Sequence, residues 1–131
     1  MTVVVDTSVL IDVLRGERRA VDALVSAFDR GEPVMGSVLS RTEVRAGMRK
    51  TERRRTERLL DQVDWVPVDT GIADSAGDLA ATYLRTHRGV DTTDYVIAAT
   101  TMAVGGQLWT RNRKHFPMFE GLPDPYGEAG E

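Results

Sequence analysis

The chain has no cysteine, few aromatic residues and no long apolar segment. Without cysteine it forms no disulfide framework, uses no thiol nucleophile and binds no metal through thiolates. No apolar run approaches the roughly 20 residues that a membrane-spanning helix needs. The 131 residues are enough for one hydrophobic core without covalent staples. We therefore expect a single cytoplasmic domain with no membrane partner.

Negative charge slightly exceeds positive charge overall, and the positive charge is concentrated in one segment. The chain carries 17 Lys and Arg against 20 Asp and Glu, a formal net charge of −3. Seven of these 17 positive charges fall between Arg45 and Arg58, beside the two glutamates Glu52 and Glu57. Such a run is either a solvated helix face or a surface for phosphate groups, and the sequence leaves both open. Little aromatic interleaving accompanies it, so stacking on nucleic-acid bases is not indicated.

Short β-type segments alternate with segments of helical periodicity. The predicted strands are 3–5, 33–36, 65–68 and 107–110. The predicted helices are 9–14 with Thr7 and Ser8 as caps, 21–28, 38–49, 51–62, 72–86 and 93–104. This alternation predicts an α/β fold with a short, mainly parallel central sheet. We expect one domain over residues 1–123 and a flexible tail over 124–131, which is rich in Pro and Gly.

Three acidic residues stand at positions where side chains could meet. Asp6 directly follows the first strand, Glu43 lies on the third helix, and Asp94 opens the apolar last helix. Each alone has a local explanation, such as helix capping or solvation. Glu43 shares a helix face with Leu39 and Gly47, which predicts that it faces inward, where a carboxylate is costly unless paired or metal-bound. Converging carboxylates would repel one another unless a cation neutralised them, and oxygen-only ligands suit Mg²⁺ or Mn²⁺.

Four segments together resemble one family. They are VVVDTSVLID at 3–12, VLSRTEVRAG at 38–47, GVDTTDYVIAAT at 89–100, and LWTRNRKHF at 108–116 followed by Gly-Leu at 121–122. In this order and spacing they resemble the PIN domain, and within it the VapC-type toxins of bacterial VapBC toxin–antitoxin systems. The resemblance spans about residues 2 to 123.

The resemblance implies a PIN-like α/β/α sandwich and a metal-dependent endoribonuclease. Asp6, Glu43 and Asp94 would be both the catalytic residues and the ligands of Mg²⁺ or Mn²⁺, which activates water against an RNA phosphodiester. The substrate would be RNA, a tRNA or rRNA, whose cleavage inhibits translation. The protein would form a homodimer, and a VapB-like antitoxin would silence it.

Further polar residues accompany the three acids. Ser8, Thr110 and Asn112 are candidates for positioning water or phosphate. Asn112 stands where many PIN domains carry a fourth acid, which favours one metal ion in the free protein. Asp91 is an extra acid nearby, either an auxiliary acid or, with better support, the N-cap of the last helix. We expect a structural role for His115, because metal-bound water removes the need for a histidine base.

Other functions remain open at this point. A phospho-receiver domain would need an acceptor acid after its middle strand, and Asp69 follows the third predicted strand. A PIN module could also act in RNA processing, or bind RNA or a protein without catalysis. Apolar residues of the first two helices, between Val9 and Val25, either complete the core or form a groove for a partner helix.

Overall fold

The structure, a computed structural model, describes residues 1–127. Its centre is a sheet of four parallel strands in the order β3-β2-β1-β4. The strands are β1 (Val3–Val5), β2 (Val34–Ser37), β3 (Asp64–Val66) and β4 (Gln107–Trp109). The predicted parallel α/β fold is confirmed.

In the part of the chain that the structure describes, six α-helices and one short 3-10 turn connect the strands, and a second 3-10 turn follows β4. The helices are α1 (Thr7–Leu14), α2 (Arg18–Asp29), α3 (Val38–Ala46), α4 (Arg53–Leu60), α5 (Thr70–Tyr83) and α6 (Thr92–Val104). The 3-10 turns are Lys50–Glu52 and Arg113–His115. The predicted helix 38–49 was too long, because Gly47 ends α3 and the basic segment continues as a separate turn and α4. Within residues 1–127, no helix combines the length and apolar character needed to cross a bilayer.

The central strand β1 carries the core on both of its faces. Its three valines are fully buried, which is why a run of β-branched residues suits this position. Val3 and Val5 pack in one cluster with side chains from α1 to α4, whereas Val4 packs on the opposite face with Ile97 and Ala98 of α6. Helices therefore cover both faces of the sheet, as expected for an α/β/α sandwich.

Two strand ends lead directly into functional helices. Asp6 follows β1 and begins α1, so its side chain lies at the carboxyl edge of the central strand. Ser37 ends β2 and caps α3, where its Oγ accepts a hydrogen bond from the Leu39 N–H at 3.2 Å. In open parallel sheets, sites form beyond this edge of the strands.

The third strand, β3, lies at an edge of the sheet and not in its middle. Asp69 follows it and caps α5, where its Oδ1 accepts a hydrogen bond from the Ile72 N–H at 2.8 Å. The phospho-receiver interpretation is therefore wrong, because its acceptor acid would have to follow a central strand.

The segment 124–127 packs against α1 and α2. The Tyr126 hydroxyl donates to Asp12, and the Arg19 side chain donates to the carbonyl oxygens of Tyr126 and Gly127. The rest of the predicted flexible tail, 128–131, lies outside the described residues.

Candidate active site

A cleft of about 480 Å³ opens at the carboxyl ends of β1 and β4. It contains the three acids expected to act together, as well as Asp91, Ser8 and Asn112. The side chains that line it are Asp6, Thr7, Ser8, Ile11, Asp12, Arg15, Glu43, Asp91, Asp94, Arg111, Asn112 and His115. Thr110 lies beneath this surface, fully buried, and contacts Asp6. The fold thus gathers residues from four separate parts of the chain.

Asp6 lies deepest, with 4% of its surface exposed, and three donors satisfy its carboxylate. Oδ1 accepts from the Thr7 N–H at 2.8 Å, and Oδ2 accepts from the Ser8 and Thr110 hydroxyls at 3.0 and 2.7 Å. The first of these bonds makes Asp6 the N-cap of α1, whereas we expected Thr7 and Ser8 to be the caps. A buried carboxylate requires such partners, since without them its desolvation would be costly.

Hydroxyl groups tie the loop after β4 to Asp6. The Thr110 Oγ1, which donates to Asp6, accepts from the Asn112 N–H at 2.9 Å. The Ser8 Oγ, which also donates to Asp6, accepts from the Arg111 N–H at 3.0 Å. Ser8 and Thr110 therefore fix both the central carboxylate and the backbone that carries Asn112.

Glu43 reaches the cleft from α3, but the expectation that it faces the interior is wrong. The residue is exposed, and so are Ala46 and Gly47, whereas Ser40 and Val44 form the buried face of this helix. Its Oε1 accepts a hydrogen bond from the Thr7 hydroxyl at 2.7 Å. Helical spacing alone did not distinguish a side that faces the core from a side that faces a solvent-filled cleft.

Asp94 lies at the first turn of α6 with 13% of its side chain exposed. Burial, as the largest cause, raises the pKa of this carboxyl from 3.8 to about 6. The negative charges of Asp91 and Asp6 raise it further, whereas the hydrogen bond from the Asp91 N–H and the charge of His115 lower it. The repulsion from Asp6 indicates that these two carboxylates interact electrostatically across the cleft.

Asp91 is the N-cap of α6 and forms a reciprocal capping box with Asp94. Its Oδ1 accepts from the Asp94 N–H at 3.1 Å, and the Asp94 Oδ2 accepts from the Asp91 N–H at 3.1 Å. This arrangement orients the Asp94 carboxylate with respect to its helix. The capping role that the sequence favoured for Asp91 is present in the structure.

The donor set fits a hard divalent cation. Asp6, Glu43 and Asp94 provide only oxygen ligands. Glu43 accepts one hydrogen bond, at Oε1, and Asp94 accepts one from the Asp91 N–H, at Oδ2, whereas Asp6 accepts three. Among residues 1–127, no three His, Asp or Glu side chains are close enough to form a ready-made metal-binding group. Mg²⁺ commonly binds through one or two carboxylates and retains several waters, so it does not require direct contact with all three acids at once.

Four ionisable cleft residues were not assigned a functional role from the sequence: Asp12, Arg15, Arg111 and His115. The His115 Nδ1 lies 3.3 Å from Asp94 Oδ2, so the residue expected to be structural stands at the wall of the cleft. Arg111 follows Thr110 directly in the sequence, and its position beside a predicted site residue was the available signal. Asp12 and Arg15 lie one and two turns beyond Ser8 on α1, a spacing that indicates a shared helix face.

A second, smaller cavity of about 240 Å³ adjoins the first between α1, α3 and α4. Ile11, Leu14, Val44 and Met48 give it apolar walls, and Arg15 and Glu43 also line it. Of the apolar residues between Val9 and Val25, those at 9, 10, 20 and 24 are buried in the core instead. Both alternatives are therefore present: part of that surface completes the core, and part lines this cavity together with α3.

The parallel sheet, helices on both faces and acidic cleft at its carboxyl edge define a class of small α/β protein with an oxygen-rich candidate metal site. The PIN-domain family model matches residues 3–119. The chain therefore belongs to the PIN-domain family.

Individual relatives agree with this assignment. Ribonuclease VapC19 of Mycobacterium tuberculosis is 42% identical over 122 residues, covering 93% of this chain and 98% of the relative. Ribonuclease VapC10 of the same organism is 44% identical over 128 residues, covering 98% and 96%. A chain of a toxin–antitoxin complex from Klebsiella pneumoniae is 28% identical, with a TM-score of 0.78 and coverage of 97% and 100%. The resemblance to VapC-type toxins expected from the sequence motifs is confirmed.

Proposed function

We propose that this protein is a metal-dependent endoribonuclease, the toxin of a type II toxin–antitoxin pair. The observation that carries the proposal is the convergence of Asp6, Glu43 and Asp94 on one cleft, in a chain similar to VapC ribonucleases. The substrate would be a tRNA or rRNA, and its cleavage would inhibit translation in the cytoplasm.

The three acids would hold Mg²⁺ or Mn²⁺, directly or through water. When bound, such an ion lowers the pKa of water and offsets charge on the phosphate. Asp94 must be ionised to serve as a ligand, and a bound cation would offset the burial and the negative charges that raise the pKa of this carboxyl. Ser8 and Thr110 hold the Asp6 carboxylate in one orientation, so little reorganisation is needed.

Asn112 would contact a phosphate oxygen or a water. Its backbone N–H is fixed by the Thr110 hydroxyl, and its side chain lines the cleft. An amide brings no charge, so it can donate a hydrogen bond without adding to the repulsion between the acidic cleft and RNA.

The basic segment from Arg45 to Arg58 would provide contacts with phosphates outside the cleft. Four of its arginines pair with its two glutamates, at N–O distances of 3.1 to 3.9 Å. These pairs are exposed, so they are weak and phosphates can compete with the glutamates. Arg49 lines the smaller cavity, and Arg15 and Glu43 line both this cavity and the cleft, so the start of the basic segment lies beside the cleft.

A VapB-like antitoxin would be the protein partner. A solved structural relative is a chain of a toxin–antitoxin complex. The smaller cavity, with Ile11, Leu14 and Met48 in its walls, offers apolar surface for an antitoxin helix next to Glu43. A homodimer remains part of this proposal.

The decisive experiment is cleavage of a mixed tRNA and rRNA pool by the purified, antitoxin-free protein. Reactions would contain Mg²⁺, Mn²⁺ or EDTA, with D6N as the test variant. The matched control is D69N, which changes another helix-capping aspartate that lies away from the cleft. We expect metal-dependent cuts with the wild type and D69N but not with D6N. Absence of cutting by folded wild-type protein on the whole pool would contradict the proposal, as would metal-dependent cutting by D6N at the wild-type rate.

A further inference from the structure

A cluster of three residues lies on the rim of the acidic cleft and joins distant parts of the chain. Asp12 lies in α1, Arg111 follows β4, and Tyr126 lies near the end of the described chain. The Asp12 Oδ2 accepts from the Tyr126 hydroxyl at 2.8 Å and from Arg111 Nη1 at 3.0 Å. The guanidinium carbon of Arg111 lies 5.5 Å from the centre of the Tyr126 ring, within the range of a cation–π contact. Arg111 is thus held from two directions.

Tyr126 is itself fixed in this position. Arg19 of α2 donates to the carbonyl oxygens of Tyr126 and Gly127. Burial, the hydrogen bond to Asp12 and the Asp12 charge all raise the pKa of Tyr126, so its hydroxyl keeps the proton that it donates. Tyr126 lies outside residues 3–119, the part of the chain that matches the PIN-domain family.

The backbone of Arg111 is connected to the central carboxylate. Its N–H donates to the Ser8 Oγ at 3.0 Å, and the same hydroxyl donates to Asp6 Oδ2 at 3.0 Å. Both ends of Arg111, backbone and guanidinium, are therefore positioned relative to Asp6 before any ligand binds.

The cleft is mainly negative, so an arginine at its rim would favour the binding of RNA. Five carboxylates and two arginines line this cleft within the described residues, so a polyanion meets net repulsion there. The Arg111 side chain is 51% exposed, and Asp12 engages Nη1 alone among its N–H donors. The planar guanidinium fork matches phosphate oxygens, and a side chain that is already ordered loses little rotamer entropy on binding.

We propose that Arg111 binds a backbone phosphate of RNA at the rim of the cleft, and that Asp12 and Tyr126 are positioning residues that hold its guanidinium. The inference rests on the proposed function in one respect, namely that the ligand is RNA. It assigns a role to the chain beyond the matched PIN segment, because Tyr126 orients a residue of the site.

The test measures RNA binding without cleavage. A fluorescein-labelled RNA oligonucleotide of random sequence is titrated with full-length protein in EDTA, and anisotropy gives Kd between about 50 and 200 mM KCl. We expect R111A to raise Kd about tenfold and to reduce the slope of log Kd against log salt by about one. R111K should retain the slope and raise Kd less, because it keeps the charge but loses the fork. Y126F should raise Kd about threefold with an unchanged slope, because the charge remains but is held less firmly.

The matched control is R30A. Arg30 is another exposed arginine paired with a carboxylate, Glu32, and it is not among the residues that line the cleft. Equal values of Kd and slope for R111A and R30A would overturn the inference, as would a slope change in Y126F equal to that of R111A.

The RNA-pool assay with metal distinguishes this proposal from the proposed nuclease function. Wild-type cleavage with no effect of R111A on the slope overturns the role of Arg111 alone. A changed slope without any wild-type cleavage overturns the nuclease and leaves Arg111 as an RNA contact.

Discussion

The two walls of the cleft hold their carboxylates in different ways. On the β1 side, Asp6 is nearly inaccessible and receives hydrogen bonds from one backbone N–H and two hydroxyls. On the α6 side, Asp94 is more accessible, and one backbone N–H and His115 are its partners among the described residues. Burial without enough donors raises the pKa of Asp94 to about 6. The two carboxylates thus differ in the number of donors that compensate for their burial.

Because of this difference, the two acids contribute differently to the stability of the site. The Asp6 wall is a rigid anchor, because the groups that hold its carboxylate also hold α1 and the loop after β4. On the Asp94 wall, burial and nearby negative charges disfavour the ionised carboxylate, and a bound cation would offset both. A metal ion should therefore stabilise the ionised Asp94 more than the ionised Asp6. In the metal-free protein, replacing Asp94 should raise stability, whereas replacing Asp6 should lower it.

The largest expected effect is on the Asp6 wall. D6N should lower metal-dependent RNA cleavage about a thousandfold, roughly 4 kcal/mol of transition-state stabilisation, because a ligand charge is lost. The neutral amide also weakens the hydrogen bonds from Ser8 and Thr110, so we expect a lower Tm. Cleavage rates and thermal unfolding of D6N and D69N measure both effects. A D6N variant that cleaves within threefold of wild type would remove Asp6 from the reaction.

The second-largest expected effect is on the Asp94 wall, and it contrasts with the effect of D6N. D94N should lower cleavage about a hundredfold, because another ligand charge is lost. In metal-free buffer at pH 7, however, it should unfold at a higher denaturant concentration than wild type. We expect a gain of about 1 kcal/mol, allowing for solvent screening, because the cost of burying an ionised carboxylate is removed, together with its repulsion from Asp91 and Asp6. Urea titrations in EDTA test this, and a loss of stability equal to that of D6N would abolish the distinction between the two walls.

The raised pKa of Asp94 also gives the wild-type protein a pH dependence of definite sign. The folded state binds this proton more tightly than the unfolded state, whose carboxyl titrates near 3.8. The stabilising contribution of the proton is complete below about pH 4 and is lost as the pH rises to about 6. In EDTA, the free energy of unfolding of wild type relative to D94N should therefore fall across this window. Parallel curves for the two proteins would contradict the assignment of the shift to Asp94.

Smaller effects are expected where the Thr110 hydroxyl joins Asp6 to the loop after β4. T110V keeps the shape but removes the donor to Asp6 and the acceptor for the Asn112 N–H. It should cost about 1 to 3 kcal/mol of stability and lower cleavage about tenfold. The control T101V removes a buried hydroxyl that donates to the Ile97 carbonyl within α6, and it should leave cleavage unchanged. Equal cleavage by the two variants would show that the Thr110 hydroxyl is not needed to hold Asp6.

The sequence predicted most of the fold and the convergence of the three acids on one cleft, because alternating segments indicate the fold and motifs mark the acids. That these acids hold a metal ion stays a prediction. Alternation of strands and helices determined the parallel sheet, and the position of Asp6 after a buried strand placed it at the sheet edge. The exposure of Glu43 was missed, because a helix face of small and apolar residues is equally compatible with core and cleft. The end of α3 was also missed, since helical periodicity continues through the basic segment beyond Gly47.

Contacts between distant parts of the chain could not be predicted from the sequence. Asp12 and Tyr126 are separated by 114 positions, and neither carries a motif that predicts their hydrogen bond. Such a pairing follows from the packing of the whole chain around the sheet. For the same reason, the position of His115 beside Asp94 could be found only from the structure.

The smallest effect distinguishes a cap from an auxiliary acid. D91A should cost about 1 kcal/mol of stability, as should D69A, because each removes the N-cap carboxylate of a helix. D91A alone also removes a negative charge beside Asp94, and its backbone N–H can still donate to Asp94 Oδ2. The pKa of Asp94 should therefore fall, and the rise of cleavage with pH should shift to lower pH with a maximal rate within about threefold of wild type. If Asp91 were instead a metal ligand, D91A would lose its maximal rate more than tenfold while D69A kept it, and no shift in pH would restore it.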